Sequence, residues 1–274
     1  MSATGAIVNF NTVNTRFDET WALQDVSLAL KPGETRIILG AAGSGKTTLL
    51  KSVIGLVPVD SGSIQLFDQE VTKMSDHDLF PLRTKAGFLF QEGGLFDSLT
   101  IGENVEYPLA NQQTRAPIPP EESERRVREA LRFVELEHTI NKFPSEVSGG
   151  MRRRVGIARA IVTEPALVLY DSPTAGLDPI TANTIMAVVA KERDVRNSAA
   201  LIVTHRYQDG ELMAKFRYDP KSEELVPAPE AEQSDPARAR TKFMVMREGR
   251  IVFIGTEREL EASSDPYLKR FCRH

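Results

Sequence analysis

The chain has little of several things: among its 274 residues there is one cysteine, Cys272, and one tryptophan, Trp21. A lone thiol rules out an internal disulfide and any zinc or iron–sulfur centre built on cysteines, and it points to a cytosolic compartment. No run approaches the ~20 apolar residues that a membrane-spanning helix needs, and residues 1–10 lack the basic region and apolar run of a secretory signal. Positive charge is not in excess either. With 34 Lys and Arg against 38 Asp and Glu, the net charge of −4 provides no general field for a polyanion, so nucleic acid is not an expected partner. The 16 Pro and 18 Gly are dispersed, which excludes a low-complexity chain, and 41% hydrophobic residues against 26% charged are ample for a folded core. The length suits one large α/β domain or two modest ones.

Residues 7–10 and 26–30, the latter closed by Lys31-Pro32-Gly33, read as an antiparallel strand pair. Residues 36–39 form a compact apolar strand that enters a glycine-rich loop, and 47–54 continue as a helix. Further strands are expected at 63–67 and 87–90. From about 95 to 150 the character changes. Val127, Ala130, Leu131 and Val134 recur at helical spacing between charges, which predicts one helix over 121–138 in a helical subdomain laid against the core. Nearly continuous apolar runs at 166–170 and 200–203 read as strands covered on both faces of a mostly parallel sheet. Residues 220–240 are rich in Pro, Ala, Glu, Asp and Ser without an apolar period and read as an exposed loop. Residues 243–246 and 251–254 suit a hairpin turning at Glu248-Gly249.

Gly40-Ala41-Ala42-Gly43-Ser44-Gly45-Lys46-Thr47 fills all eight positions of the phosphate-loop pattern, between an apolar strand and a helix that continues with Thr48. The glycines let backbone N–H groups converge on the β- and γ-phosphates, and the helix N-terminus adds a favourable field. Lys46 can reach the transferred phosphoryl group, and the Thr47 hydroxyl can coordinate Mg²⁺. Leu167-Val168-Leu169-Tyr170-Asp171 supplies the second half of such a site, an apolar strand ending in a carboxylate for the metal.

With these residues the chain resembles the ATP-binding cassette (ABC) ATPases over about residues 5–265. Val147-Ser148-Gly149-Gly150-Met151 looks like the cassette signature, and it follows a helical segment and precedes the metal-binding strand as in that family. Gln91 resembles the family's loop glutamine, Ala175-Gly176-Leu177-Asp178 its dimer-contact loop, and His205 its switch histidine. Phe17 or Trp21 resembles the aromatic that stacks on adenine, with Phe17 preferred for its spacing ahead of Ala22-Leu23. The resemblance implies an α/β fold: a P-loop NTPase core with a mostly parallel sheet, an N-terminal antiparallel β subdomain and an inserted α-helical signature subdomain at about 95–155. A loop insertion at 220–240 and a C-terminal tail at 266–274 would lie outside that plan. ATP and Mg²⁺ are the implied ligands. Ser148, Gly149 and Gly150 would grip ATP held by a second subunit, so a homodimer or a paired cassette subunit is implied, and Thr47, Gln91 and Asp171 would hold the metal.

One departure matters. The family places a water-polarising Glu after the metal-binding Asp, whereas here the order is Asp171-Ser172-Pro173-Thr174. A serine is a poor proton acceptor at neutral pH, and loss of a positioned base typically costs roughly 10² to 10⁴ in rate. ATP binding with slow turnover is therefore expected, Lys46, Gln91, Asp171, Ser172 and His205 forming the catalytic set. A module gated by ATP without hydrolysis is the competing expectation.

Segments 94–101, 103–105 and 107–109, with Gly176-Leu177-Asp178-Pro179-Ile180-Thr181 and the ending Ser264-Asp265-Pro266-Tyr267-Leu268-Lys269-Arg270-Phe271, resemble the ATPases of MCE-type lipid-trafficking systems. That implies a multi-span permease, MCE-domain lipid-binding partners and a cytoplasmic position attached peripherally to the inner membrane through the permease. The alternative is the ATPase of a small-solute importer or an exporter.

Overall fold

The computed structural model describes residues 5–91, 93–112 and 118–272. Its centre is a six-stranded sheet in the order β12-β11-β3-β8-β7-β6. The strands are β3 (Thr35–Gly40), β6 (Ala86–Leu89), β7 (Leu167–Asp171), β8 (Ala199–Val203), β11 (Thr241–Arg247) and β12 (Arg250–Gly255). All neighbours pair parallel except β12, which returns antiparallel from β11 through the Glu248-Gly249 turn. Every residue of β3, β7 and β8 is buried, as sheets covered on both faces demand. Successive side chains alternate between two cores. Ile37, Leu39 and Ile202 face the core shared with the helical segment, whereas Ile38, Leu201 and Val203 face a core shared with helix α1 (Lys46–Val53) and a second sheet.

That second sheet is antiparallel, in the order β2-β1-β4-β5, from β1 (Val8–Phe17), β2 (Thr20–Leu30), β4 (Ser61–Leu66) and β5 (Gln69–Glu70). Val8 pairs with Leu30, so the strand pair expected near the N-terminus forms and extends further than its apolar runs. Helix α2 (Asp76–Arg83) leads into β6.

The helical segment holds α3 (Ile101–Ala110), α4 (Pro120–Phe133) and α5 (Gly149–Ile161). Thr100 and Glu103 form a reciprocal capping box that starts α3. The single helix expected over 121–138 is corrected: α4 stops at Phe133, Glu135 turns to φ 62°, and a 3-10 turn covers Glu137–Thr139. Val127, Ala130, Leu131 and Val134 are nonetheless all buried, because the chain reverses only after the stripe is complete.

Helix α6 (Pro179–Arg196) precedes β8, and α7 (Tyr207–Lys215) follows it. The segment expected as an exposed loop at 220–240 is instead structured for part of its length. β9 (Phe216–Asp219) and β10 (Glu224–Pro227) form an antiparallel hairpin, followed by the short helix α8 (Glu230–Ser234). Charge, not an apolar period, holds it in place. Asp194 of α6 accepts from Arg217 Nη1 at 2.9 Å and from the Tyr218 N–H at 2.9 Å, Arg193 donates to the Phe216 carbonyl at 2.9 Å, and Arg217 also pairs with Glu232. The chain closes with α9 (Glu257–Glu261) and α10 (Pro266–Lys269). In the latter, Tyr267 donates its hydroxyl to the Met246 carbonyl at 2.9 Å. The last two residues of the expected 266–274 tail lie outside the described residues. No helix among the described residues is long and apolar enough to cross a membrane.

Candidate functional site

The carboxyl end of β3, flanked by β8 and β11, opens into the loop that leads to α1, the position where open α/β sheets hold ligands. Two glycines there are dictated by close approach. A Cβ at Gly45 (φ 97°) would lie 2.0 Å from the Ala22 carbonyl oxygen of β2, and one at Gly40 would lie 2.5 Å from Ser44 Oγ and 2.6 Å from the Met246 carbonyl. The same loop is tied outward: the Gly249 N–H donates to the Ser44 carbonyl at 3.3 Å, and the Gly249 carbonyl accepts from the Gln24 N–H at 2.9 Å.

Lys46, only 5% exposed, donates to the carbonyls of Gly40 at 2.9 Å and Ala41 at 2.8 Å and to Ser44 Oγ at 3.3 Å. Burial pushes its pKa down, with the Asp171 carboxylate opposing that shift. Thr47 donates its hydroxyl to Asp171 Oδ1 at 3.3 Å, and Ser172 donates to the same oxygen at 3.3 Å. The loop from β7 continues into a turn, and the Ser172 N–H is held by the Val203 carbonyl at 2.9 Å. His205, just after β8, is exposed, yet partial desolvation and the nearby Lys46 ammonium lower its pKa against the pull of Asp171. It therefore favours the neutral imidazole at neutral pH.

Lys46, Thr47, Ser172 and His205 face one cavity of about 440 Å³, a size common for small-molecule sites, and Asp171 lies beside it in contact with Thr47. Gly43, Ser44, Gly45, Lys46, Thr47 and Thr48 line it together with Gln91, Ser172 and His205. Ala42 lines it too, whereas Ala41 contacts the tail, its N–H reaching the Tyr267 hydroxyl at 3.5 Å. Phe17, 53% exposed, and Trp21, 39% exposed, both stand at its open end, so the structure brings both aromatic candidates to the site. A triphosphate fits this donor set: a desolvated ammonium, a helix N-terminus and, at Gly40 and Gly45, backbone with no room for a side chain. The facing Thr47 hydroxyl and Asp171 carboxylate are hard oxygen donors suited to Mg²⁺, with Gln91 on the same cavity.

Ser148, Gly149 and Gly150 are not brought there. Ser148 caps α5, its hydroxyl accepting from the Met151 N–H at 3.2 Å, and with Gly149 it faces solvent. Sequence reasoning missed the residues that shape the segment after Gln91. Arg159 of α5 is buried and donates to the carbonyls of Gly94 at 2.8 Å and Gly93 at 2.9 Å. Asn104 is fully buried and bonds the backbone of Phe96, Leu99 and Thr100. An arginine inside the apolar run Ile157-Ala158-Arg159-Ala160-Ile161 was the available signal.

Residues 23–175 match the family model described as ABC transporter. The chain belongs to the ABC transporter family. Its fold is the α/β P-loop NTPase fold of those cassettes. It is similar to the methionine import ATP-binding protein MetN 2 of Bacillus cereus, with 37% identity over 203 residues that cover 73% of this chain and 59% of that protein. It is also similar to mkl of Mycobacterium bovis, named as a probable ribonucleotide transport ATP-binding protein, with 36% identity covering 73% and 55%. The chain thus spans less than two thirds of the length of these relatives. Among solved structures, a dimeric ATP-binding cassette in a post-hydrolysis state bound to ADP and phosphate aligns with a TM-score of 0.74 at 28% identity, covering 90% of this chain and 97% of that one. The cbiO1 protein of Clostridium perfringens, part of the ABC transporter complex cbiONQ, aligns with a TM-score of 0.76 at 27% identity, covering 97% and 94%.

The two aromatics of this ABC cassette differ in what already occupies their faces. Arg16 stacks on Trp21, its guanidinium 5.0 Å from the ring centroid, and no cation sits on Phe17 among the described contacts. Phe17→Ala is therefore expected to weaken ATP binding about tenfold, within the ~1–3 kcal/mol of a base stacked on an aromatic ring. Trp21→Ala should have the smaller effect. A fluorescence titration with an ATP analogue ranks them, and the reverse order would assign adenine to Trp21.

Proposed function

We propose that this chain is the ATP-binding and slowly ATP-hydrolysing subunit of a membrane transporter for a small solute. The observation that carries the reading is the single cavity shared by the phosphate loop, Lys46, Gln91, Ser172 and His205, with Thr47 and Asp171 in contact beside it. Backbone donors and Lys46 bind the phosphates and offset the charge that develops on the transferred group. Mg²⁺, held by Thr47 and Asp171 with Gln91 at hand, would neutralise phosphate charge. Neutral His205 can orient an attacking water or contact the γ-phosphate, and the Ser172 hydroxyl can orient water without accepting its proton.

Ser148 and Gly149, facing solvent at the start of α5, support a dimer in which each signature closes over the nucleotide of the other subunit, and the likeness to a dimeric cassette points the same way. The partner could be a second copy or a paired cassette. A groove of about 470 Å³ lined by Phe88, Phe90, Phe96, Tyr107, Arg83 and Arg159 suits a cytoplasmic helix of the permease. Peripheral attachment to a membrane would follow from that contact.

The relatives' names, methionine import for one and probable ribonucleotide transport for the other, favour a small solute over lipid trafficking with MCE-domain partners, which neither name mentions. Reconstitution with the permease into liposomes would decide the cargo: phosphate release stimulated by an amino acid or nucleotide supports the reading, and stimulation by phospholipid alone overturns it. One observation favours a second reading, the ATP-gated module that does not hydrolyse. It is Ser172 in place of a general base.

A further inference from the structure

We infer that Asp209 is a positioning residue that ties the loop carrying His205 to the turn that follows Ser172, so that these two neighbouring parts of the cavity lining keep one spacing. The inference rests on the ATPase reading above and deepens it. Asp209 lies in the first turn of α7 and is 1% exposed. An acid at this place in a helix ordinarily folds back on its own N-cap. Here the side chain turns away, and one carboxylate oxygen, Oδ2, accepts from the hydroxyls of Thr204 and Thr174, each at 2.5 Å. Both threonines are 1% exposed.

The two donors follow adjacent strands, Thr204 after β8 and Thr174 after β7. Thr204 immediately precedes His205, and its Oγ1 also accepts from the Arg206 N–H at 3.1 Å, so the backbone is anchored on both sides of the imidazole. Since that hydroxyl receives a bond, its own proton is directed at Asp209. Thr174 follows Ser172 by two residues. Around it the Ala175 N–H donates to the Ser172 carbonyl at 3.2 Å, the Leu177 N–H donates to the Thr174 carbonyl at 3.2 Å, and Arg153 of α5 donates to the Ala175 carbonyl at 3.2 Å. Ser172, Ala175 and His205 all line the cavity. Hydroxyl-to-carboxylate bonds this short are the charge-assisted kind, and they fix geometry more tightly than neutral pairs. Asp209 touches neither nucleotide nor metal donors; it acts through the two threonines. Its remaining oxygen faces Arg206 Nε at 3.8 Å, and burial raises its pKa against the lowering pull of the two hydroxyls and Arg206.

The test compares wild type, Thr174→Val, Thr204→Val, the double variant, Asp209→Ala and Asp209→Asn, with Lys46→Ala as the control for turnover. Phosphate release and the affinity for a fluorescent ATP analogue are both read. Each valine, which keeps the shape and removes one donor, is expected to lower kcat on the order of tenfold while changing nucleotide affinity less than about twofold. The double variant should be no worse than the poorer single, because one broken arm already uncouples the two segments. Asp209→Asn, whose carboxamide oxygen can accept both hydroxyls, should recover most of the turnover lost in Asp209→Ala. Wild-type turnover in both valine variants, multiplied losses in the double, or kcat falling only in step with affinity and thermal midpoint would overturn the inference. Wild-type turnover no greater than that of Lys46→Ala would be distinguishable from these outcomes: it would remove the ATPase reading, and this inference with it.

Discussion

Replacing Lys46 by alanine is expected to abolish measurable turnover and weaken ATP binding by roughly 10² to 10³, the range for losing one preorganised charge-stabilising donor, ~2.7–4 kcal/mol. Its ammonium is almost wholly buried, and its ligands are three oxygens of its own loop, two of them carbonyls. Desolvation without a directly bonded carboxylate leaves it a cation in need of an anion, which the β- and γ-phosphates supply. Folding should suffer little, since the variant removes a buried charge and leaves carbonyls beside a cavity open to water. Phosphate release, calorimetric titration with ATP and a thermal scan check the three parts. Retained affinity would mean that the backbone donors and the helix terminus suffice, and the assignment of Lys46 would fall.

Ser172→Glu should act in the opposite direction and raise turnover by roughly 10² or more, because it supplies the missing proton acceptor. The position permits it. Ser172 lines the cavity, its backbone is held by the Val203 carbonyl, and its φ of 53° is set by the turn and not by the side chain. The new carboxylate would share the site with Asp171, a repulsion that raises its pKa and that a bound cation would offset. Phosphate release by the two proteins at saturating Mg-ATP is the measurement. A large gain shows a natural site restrained for want of a base and brings the ATP-gated reading forward. An unchanged rate shows that another group already takes the proton.

Much of the nucleotide site was legible because its chemistry is local. The phosphate loop is eight consecutive residues with glycines at fixed spacing, and the strand ending in Asp171 carries its own signal of continuous burial. The parallel sheet was legible for the same reason. What escaped was non-local or polar. The hairpin and helix within 216–234 owe their order to Asp194 and the arginines around it, a network that leaves no hydrophobic period. The end of α4 depended on where the chain had to reverse to bury Leu136, not on helix propensity. Thr174, Thr204 and Asp209 are unremarkable residues in the sequence, brought to one oxygen across 35 positions by the neighbouring strands β7 and β8. The choice between Phe17 and Trp21 could not be read from spacing, because both line the same opening.

The stitching of the phosphate loop to β2 has a mechanical consequence. Ala22 presses on Gly45, Gly249 links Ser44 to Gln24, and the strand that supplies these contacts also carries Trp21 and pairs with the one that carries Phe17. The floor that receives the phosphates and the rim that receives the base are therefore one stiff body with no joint between them. Because base and phosphates meet surfaces already fixed to each other, the spacing between them is set before a nucleotide arrives.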